Sequence, residues 1–313
     1  PDQACPLQRR PFAGGGIRSR LNSTMPVTTP RTLIDLGHGL RFPESPRWRG
    51  DRLWFIDIHD NAIKSVSLAG GLRTELSLPF KPNGLGFLPD GTVVFSDALN
   101  LSMKRWDGSM VQELASLATT SVFCLSDAIT DGQGRTWVGD IGYNFWNPDA
   151  APVDTCTIAR IDRDGTVARA ADSLEFPNGM ALTSDGRTLI VAETNAFRLT
   201  AYHVDADGSL SRRRIFADLP AGVQPDGICL DAEGAVWLAN PAGNPAVLRV
   251  REGGDVTDTI TLDSHAYAVM LGGPERRHLF ICTSASHDPA EIAASPSARL
   301  LVAEVAVPGA GAP

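Results

Sequence analysis

Six copies of one short pattern place an oxygen-bearing side chain at the same position in each copy. The second residue of every copy carries a carboxylate, an amide or a hydroxyl group. Such oxygens are the ligands that hard cations such as Ca²⁺ and Mg²⁺ prefer. If the copies close into a ring, these side chains converge on one axis and can form a metal site. The six residues are Glu44, Asn83, Ser126, Asn178, Asp226 and Tyr267.

Three of these residues are the best candidates for metal ligands, because together they offer two carboxylates and one amide oxygen. Glu44 and Asp226 would repel each other in a buried channel, and a divalent cation would relieve that repulsion. Asn178 would add the amide oxygen. The alternative is that these residues form reverse turns, since Asn-Gly and Asp-Gly are common turn dipeptides. We favour metal binding for the three together, whereas Asn83 taken alone is adequately explained as a turn residue.

The elements that would position these side chains are short strands. Each copy runs through a first strand and a tight turn into a second strand rich in β-branched and aromatic residues. The second strands end at residues 57, 97, 140, 193, 240 and 283, so the unit repeats every 40 to 53 residues. A four-stranded unit repeating at about 40–50 residues is typical of a propeller blade.

The sequence therefore predicts an all-β protein, a six-bladed β-propeller that spans residues 31–313. Closure of the ring should pair a strand near residues 32–36 with the C-terminal strand at 299–305, so that no edge stays open. Long helical periodicity is absent from the sequence, which argues against α/β folds. An open all-β array or a pair of sandwiches is the alternative, and six copies in phase argue against it.

Composition and charge limit the partners and the location of the protein. The net charge is −8 and no long basic run exists, so nucleic acid is not expected to bind. No stretch of 18 apolar residues occurs, so no membrane contact is expected. Five scattered cysteines without a CxxC pair indicate reduced thiols and a cytoplasmic location. We expect a monomer or weak homo-oligomer that acts on a small molecule.

Residues 1–30 differ from the rest of the sequence. They contain four arginines before position 21, a run of three glycines and little apolar periodicity. No apolar stretch of the length that a secretory signal requires is present. We interpret the segment as a disordered or non-native extension, with Met25 as a possible native start, and a transit-like role is the alternative.

Three segments in combination resemble the senescence marker protein / gluconolactonase / luciferin-regenerating-enzyme family. They read E-S-P at Glu44, P-N-G at Asn178 and P-D-G-x-x-x-D-x-x-G-x-x-W from Pro225 to Trp237. Each is weak singly, and together they are specific over about residues 31–307. The resemblance implies a six-bladed propeller, lactone hydrolysis, a divalent cation on Glu44, Asn178 and Asp226, and Asp226 as general base. We expect Ca²⁺, with Mg²⁺, Mn²⁺ or Zn²⁺ as alternatives.

This chemistry needs no nucleophilic serine, and the sequence has no G-x-S-x-G motif. A metal can polarise a lactone carbonyl and lower the pKa of a water molecule, and a nearby carboxylate can accept the proton of that water. Two alternatives stay open. The same Lewis acid could serve an isomerase, cyclase or lyase that acts on a natural-product-like molecule, or the propeller could be a non-catalytic binding platform.

The third copy departs from the family pattern. Sugar-lactone members usually carry Asn where Ser126 stands, and animal members carry Arg where Cys124 stands. A short hydroxyl and an uncharged thiol would recognise a sugar poorly, so we predict a less polar substrate. Aromatic residues of the same blade would form an apolar wall at the mouth, unless they pack between blades. The predicted substrate-binding residues are Ser126, Cys124, Asn144, Tyr143, Trp146 and Asn83, and His59 or His287 could transfer a proton at the mouth.

Overall fold

The computed structural model describes residues 31–145, 147 and 149–311. Their strands form six antiparallel sheets of four strands each, and the first strands of neighbouring sheets contact one another around a central channel. This arrangement is a six-bladed β-propeller, which confirms the predicted fold class. The predicted N-terminal extension, residues 1–30, lies outside the described residues.

The first three blades follow one another directly along the chain, and each begins at the channel and ends at the outer edge. A separate strand, β1 (Ile34–Leu40), precedes them. Blade one contains β2 (Pro43–Arg49), β3 (Arg52–Asp57), β4 (Ala62–Ser67) and β5 (Gly70–Ser77). Blade two contains β6 (Pro82–Phe87), β7 (Val93–Asp97), β8 (Ser102–Trp106) and β9 (Val111–Ser116). Blade three contains β10 (Leu125–Thr130), β11 (Thr136–Asp140), β12 (Cys156–Ile161) and β13 (Val167–Leu174).

The last three blades repeat this order until the ring closes. Blade four contains β14 (Pro177–Leu182), β15 (Thr188–Glu193), β16 (Arg198–Val204) and β17 (Leu210–Asp218). Blade five contains β18 (Ile228–Leu230), β19 (Val236–Asn240), β20 (Ala246–Val250) and β21 (Val256–Thr261). Blade six contains β22 (His265–Gly272), β23 (His278–Ser284), the short helix α1 (Pro289–Ala294) and β24 (Ala298–Glu304), and β1 completes it.

Closure of the ring joins the two ends of the described chain. Strand β1 pairs antiparallel with β24, and Ile34 lies opposite Val302. Leu40, at the end of β1, is fully buried and lies opposite Ala298. This pairing confirms the predicted closure, although β1 extends four residues beyond the predicted segment. The outermost strand of blade six is therefore supplied from the opposite end of the sequence.

The hydrophobic core is divided into layers between neighbouring blades. One apolar cluster joins blades one and two, another blades two and three, and others join the remaining pairs around the ring. The buried faces of the strands are rich in Val, Ile, Leu and Ala, with fully buried aromatic rings such as Phe55, Phe95 and Phe280. Each blade therefore depends on its neighbours for stability.

The first strands are kinked just after the residues that the sequence analysis singled out. In five blades the pairing of the first and second strands shifts register at this point, which is the signature of a β-bulge. The shifts occur between Glu44 and Arg47, Asn83 and Leu85, Leu125 and Ala128, Pro177 and Met180, and Ala266 and Ala268. A bulge re-aims side chains, so it can direct one of two neighbouring residues into the channel.

The glycines of the P-N-G and P-D-G segments are required by close packing between blades. A Cβ atom on Gly179 would lie 2.5 Å from the carbonyl oxygen of Asp226, and one on Gly227 would lie 2.6 Å from the Cα atom of Ala268. Asn178 stands within β14 and Asn83 within β6. The turn interpretation, which the sequence allowed for Asn83, is therefore wrong, because the two P-N-G segments lie in strands.

Polar residues that end the second strands anchor the loops that lead into the first strands. In blade one, the Asp57 carboxylate accepts the backbone N–H of Phe42 at 2.7 Å, and buried Lys64 balances its charge at 2.7 Å. The same contact recurs from Asp140 to Val122 N (2.8 Å), from Glu193 to Glu175 N (3.0 Å) and from Asn240 to Gln224 N (2.9 Å). In these four blades the segment that leads to the channel-facing residue is thus anchored by the second strand.

Candidate metal centre

Glu44 and Asp226 are brought together in the channel from blades one and five. Each of these two residues is only 8% exposed. Burial, followed by repulsion from Asp226, raises the pKa of Glu44 well above its usual range. Burial, followed by repulsion from Asp127, raises the pKa of Asp226 to about 8. The two carboxylates therefore form a site of unfavourable negative charge, as the sequence predicted for this pair.

Asn178 lies beside this pair. Its side-chain amide and the Gly227 N–H hydrogen-bond the Asp226 carboxylate and oppose the rise in its pKa. The Asn178 amide nitrogen also donates to the Thr194 hydroxyl at 3.3 Å, and that hydroxyl donates to the carbonyl of Pro225 at 2.7 Å. With its N–H groups so engaged, Asn178 keeps its amide oxygen as the candidate ligand atom. Thr194 holds Asn178 and the Asp226 segment in one arrangement.

The chemistry of these residues fits a hard divalent cation. Two carboxylates and one amide oxygen are typical ligands of Ca²⁺ and Mg²⁺, and a cation would relieve the repulsion that raises both pKa values. Within the described ranges, no cluster of three or more His, Cys, Asp or Glu side chains forms a cage of its own. A metal here would therefore depend on the amide of Asn178 as well as on the two carboxylates. The assignment of these three residues as ligands stays a prediction.

A buried ion pair lies next to the candidate metal centre, and sequence reasoning missed it. The Arg47 guanidinium reaches from blade one to the Asp127 carboxylate of blade three at 2.8 Å, and the residues are 2% and 4% exposed. The same guanidinium donates to the carbonyls of Pro46 and Ala128. Arg47 lowers the pKa of Glu44, whereas Asp127 raises it. A signal was present, because Asp127 stands where three other copies have glycine.

Ser126 and Asn83 take part in hydrogen bonds that connect neighbouring blades. The Ser126 hydroxyl donates to the carbonyl of Pro177 at 2.7 Å. The Asn83 amide donates to the carbonyl of Leu125 at 3.2 Å, and its oxygen accepts the Ser45 hydroxyl at 3.1 Å. These contacts give both residues a structural role at the start of the first strands. Their predicted part in substrate binding stays a prediction.

Aromatic residues from blade three cover part of the channel mouth. The Phe145 ring lies 5.8 Å from that of Phe176, and the Tyr143 ring packs edge-on against Phe176 at 6.3 Å. The Tyr143 hydroxyl accepts a hydrogen bond from the Asn195 amide at 3.1 Å. Phe145 also lies 6.5 Å from the imidazole of His287, which belongs to the opposite blade six. The loop therefore both packs between blades three and four and reaches across the mouth.

On another side of the mouth, His59 and Lys81 form a close pair. Lys81 Nζ lies 3.0 Å from His59 Nδ1. Burial and the Lys81 charge lower the pKa of His59 to about 4, so its imidazole is neutral at pH 7. Burial also lowers the pKa of His287. A part in proton transfer for either histidine stays a prediction.

Comparison with known proteins decides the family. The profile described as SMP-30/Gluconolactonase/LRE-like region matches residues 42–285, which include all of blades one to five together with β22 and β23 of blade six. The chain belongs to the SMP-30/gluconolactonase/LRE-like family. This finding confirms the resemblance drawn from Glu44, Asn178 and the segment around Asp226.

Two relatives within the SMP-30/gluconolactonase/LRE-like family align over most of their length. A pentonolactonase of Haloferax volcanii is 26% identical over 255 residues, which cover 78% of this chain and 82% of the relative. Regucalcin of Xenopus laevis is 24% identical over 248 residues, which cover 77% and 82%. The solved structure of a calcium-binding protein, regucalcin, from Agrobacterium tumefaciens shares the fold, with a TM-score of 0.77 at 21% identity and coverage of 92% and 99%.

The other residues predicted to bind substrate differ in their surroundings. Cys124 is buried, and burial with the nearby Asp140 charge raises the pKa of its thiol to about 12. Asn144 is exposed, and its carbonyl closes a turn with Asn147 N at 3.1 Å. Trp146 lies outside the described residues. Cys124 is therefore buried and Asn144 exposed, and their part in substrate binding stays a prediction.

Proposed function

We propose that this protein is a divalent-metal-dependent hydrolase that opens a lactone or a related ester. The observation that carries the proposal is the buried pair of Glu44 and Asp226, which lies beside Asn178 in the central channel. Membership of the family, together with a relative named pentonolactonase, supports lactone hydrolysis as the reaction. Glu44, Asn178 and Asp226 would hold the cation.

The reaction assigns a separate task to Asp226. When bound, the cation supplies a Lewis acid that polarises the lactone carbonyl and stabilises negative charge on its oxygen. Asp226 accepts a proton from the attacking water as the water oxygen bonds to the acyl carbon. The ring C–O bond then breaks, and the alkoxide takes a proton to give the hydroxy acid. With the cation in place Asp226 would be ionised, so that it can accept this proton and return it to the alkoxide.

We propose Ca²⁺ as the cation. Oxygen ligands alone favour Ca²⁺, Mg²⁺ or Mn²⁺ over Zn²⁺, which commonly takes nitrogen or sulfur. Several of the similar proteins are named regucalcin, and a solved one is described as calcium-binding. A channel built from six separate blades also suits the flexible geometry that Ca²⁺ accepts better than the strict octahedron of Mg²⁺.

The substrate that we propose is less rich in hydroxyl groups than a sugar lactone. Phe145 and Tyr143 cover the mouth with aromatic surface, and the buried thiol of Cys124 offers no charge. Ser126 donates its hydroxyl proton to the Pro177 carbonyl. A polyhydroxylated ring would therefore leave several hydroxyl groups without partners at this side of the site.

The proposal is tested by metal analysis and a panel of lactones. Purified protein should contain about one divalent cation per chain and should lose lactonase activity when treated with a chelator, and Ca²⁺ should restore it. Asp226→Asn and Glu44→Gln should each lower kcat/KM by at least about 10³-fold. Glu113→Gln, which removes an exposed carboxylate on β9, is the control and should behave as wild type. Full activity after removal of the metal would refute the proposal.

A further inference from the structure

Lys81 is a cation at the channel mouth that has no carboxylate partner among the described residues. The two other lysines of the sequence each form ion pairs: Lys64 with Asp57 and Asp60, and Lys104 with Glu113. The close polar neighbour of the Lys81 ammonium is the imidazole of His59, with Nζ and Nδ1 3.0 Å apart.

The backbone around Lys81 is held firmly. Lys81 directly precedes β6, and its carbonyl accepts the N–H of Ala98 at 2.9 Å. The carbonyl of Ala98 in turn accepts the N–H of Leu125 from blade three at 3.0 Å. The ammonium itself lies beside His59 of blade one and close to Cys124, which precedes blade three.

The groups beside Lys81 do not neutralise its charge. His59 has a pKa lowered to about 4 by burial and by Lys81 itself, so the imidazole is neutral at pH 7 and can accept a hydrogen bond. Cys124 has a pKa raised to about 12 by burial and Asp140, so its thiol is neutral as well. Burial of the ammonium lowers the pKa of Lys81. A half-buried, uncompensated cation is costly, and an anion would stabilise it.

The neighbourhood also limits what the anion can be. The Phe42 ring lies 5.3 Å from the His59 ring and 4.7 Å from the Tyr267 ring, so apolar surface surrounds the pair on one side. An ammonium in such surroundings binds an oxyanion more strongly than one in open water does, because water screens the attraction less.

We propose that Lys81, supported by neutral His59, is an anion subsite, and that the substrate carries a carboxylate or a similar oxyanion that binds there. This inference rests on the proposed function, because it takes the ligand to be the substrate of the lactone reaction. The argument from charge depends only on the groups around Lys81. The substrate is then a lactone that carries an acidic group on an apolar body. Its apolar body contacts the rings of Tyr143 and Phe145, and its anionic group contacts Lys81.

Binding of a simple probe tests the subsite without turnover. Isothermal titration of the Ca²⁺-loaded protein with benzenesulfonate and with neutral benzenesulfonamide should show tighter binding of the anion. Lys81→Met should weaken the sulfonate by about tenfold and leave the sulfonamide unchanged, since a hydrogen bond to a charged group is lost. Lys104→Met removes the same charge elsewhere in blade two and serves as the control. Equal binding of both probes by wild type would overturn the proposal.

Kinetics place the subsite in the reaction. With dihydrocoumarin and its 6-carboxylate as paired substrates, Lys81→Met should raise KM about tenfold for the carboxylate alone and leave kcat for dihydrocoumarin unchanged. Lys81→Arg should restore most of the lost affinity, because it keeps the charge. An equal effect on both substrates, or on neither, overturns the proposal. If neither lactone turns over while Lys81→Met still loses sulfonate binding, the proposed function fails and the anion subsite stands.

Discussion

At the scale of single residues, the central feature is the charge that Glu44 and Asp226 share. In the absence of a cation, burial and mutual repulsion favour protonation of the pair, and Arg47 relieves the repulsion only in part, because it is already bound to Asp127. A divalent cation would relieve it fully. Protons and a metal ion would therefore compete for the same two side chains.

This competition predicts that metal affinity depends on pH. The pKa of Asp226 is raised to about 8, so the metal-free protein holds a proton there at pH 7 that Ca²⁺ must displace. Affinity should therefore rise between pH 6 and pH 8 and then level off. Titration calorimetry in buffers of different ionisation enthalpy should detect the released proton. A binding constant that does not change over this range would contradict the prediction.

Thr194 provides a second prediction at this scale, because it holds the candidate ligand Asn178 in place without being a candidate ligand itself. Its hydroxyl accepts from Asn178 at 3.3 Å and donates to the Pro225 carbonyl at 2.7 Å. Thr194→Val keeps the shape and removes both bonds, so Ca²⁺ affinity should fall about 10–100-fold. Thr194→Ser, which keeps the hydroxyl, should bind within a few-fold of wild type. The measurement is Ca²⁺ titration, with thermal melting to show that both variants fold.

At the scale of elements, the first strands combine two demands. Their bulges direct side chains into the channel, while their backbones press against the next blade so closely that a Cβ atom has no room at Gly179 or Gly227. The belt of hydrogen bonds that includes Ser126 and Asn83 joins the same strands. The geometry of the candidate metal centre is thus a property of how the blades pack.

Gly227→Ala tests this packing. The new methyl group would lie 2.6 Å from Cα of Ala268, so the blades must move apart, and we expect a loss of about 1–3 kcal/mol in the free energy of unfolding. Because Gly227 adjoins Asp226, Ca²⁺ affinity should fall too. Gly132→Ala is the matched control, since its Cβ would meet no atom within 4 Å. Denaturant unfolding of both variants measures the effect. A free energy of unfolding for Gly227→Ala equal to that of wild type would refute the argument.

At the scale of the whole molecule, closure of the ring decides stability. Strand β1 covers the outer edge of β24, so blade six is built from both ends of the described chain. No helix in the described ranges is long and apolar enough to span a membrane. The expected cytoplasmic location and the monomeric or weakly oligomeric state stay predictions.

Leu40→Ala tests the closure. Leu40 is fully buried at the end of β1, and its truncation should cost about 2–5 kcal/mol of unfolding free energy. Leu72, in β5, is 38% exposed, so Leu72→Ala should change stability by about 0.5 kcal/mol or less. Thermal and denaturant unfolding compare the two. Equal effects of the two changes would show that closure through β1 contributes little.

The sequence by itself determined the number of blades, their phase and the three candidate ligands. These follow from local patterns: a repeating strand–turn–strand unit, and an oxygen-bearing residue at the same place in each copy. Equivalent positions of a repeat converge when the repeat closes into a ring. Ring closure therefore brings Glu44 and Asp226 together, although 182 positions separate them in the sequence.

Only the tertiary structure decided which groups surround those ligands. Arg47 pairs with Asp127 across two blades, and Lys81 pairs with His59 through loops that carry no repeat. The tertiary structure also decided that Asn83 lies in a strand rather than a turn. The P-N-G sequence is compatible with both, and only the packing against the next blade distinguishes them. Periodicity is a local property of the chain, whereas charge, burial and hydrogen bonding at the channel depend on residues from several blades at once.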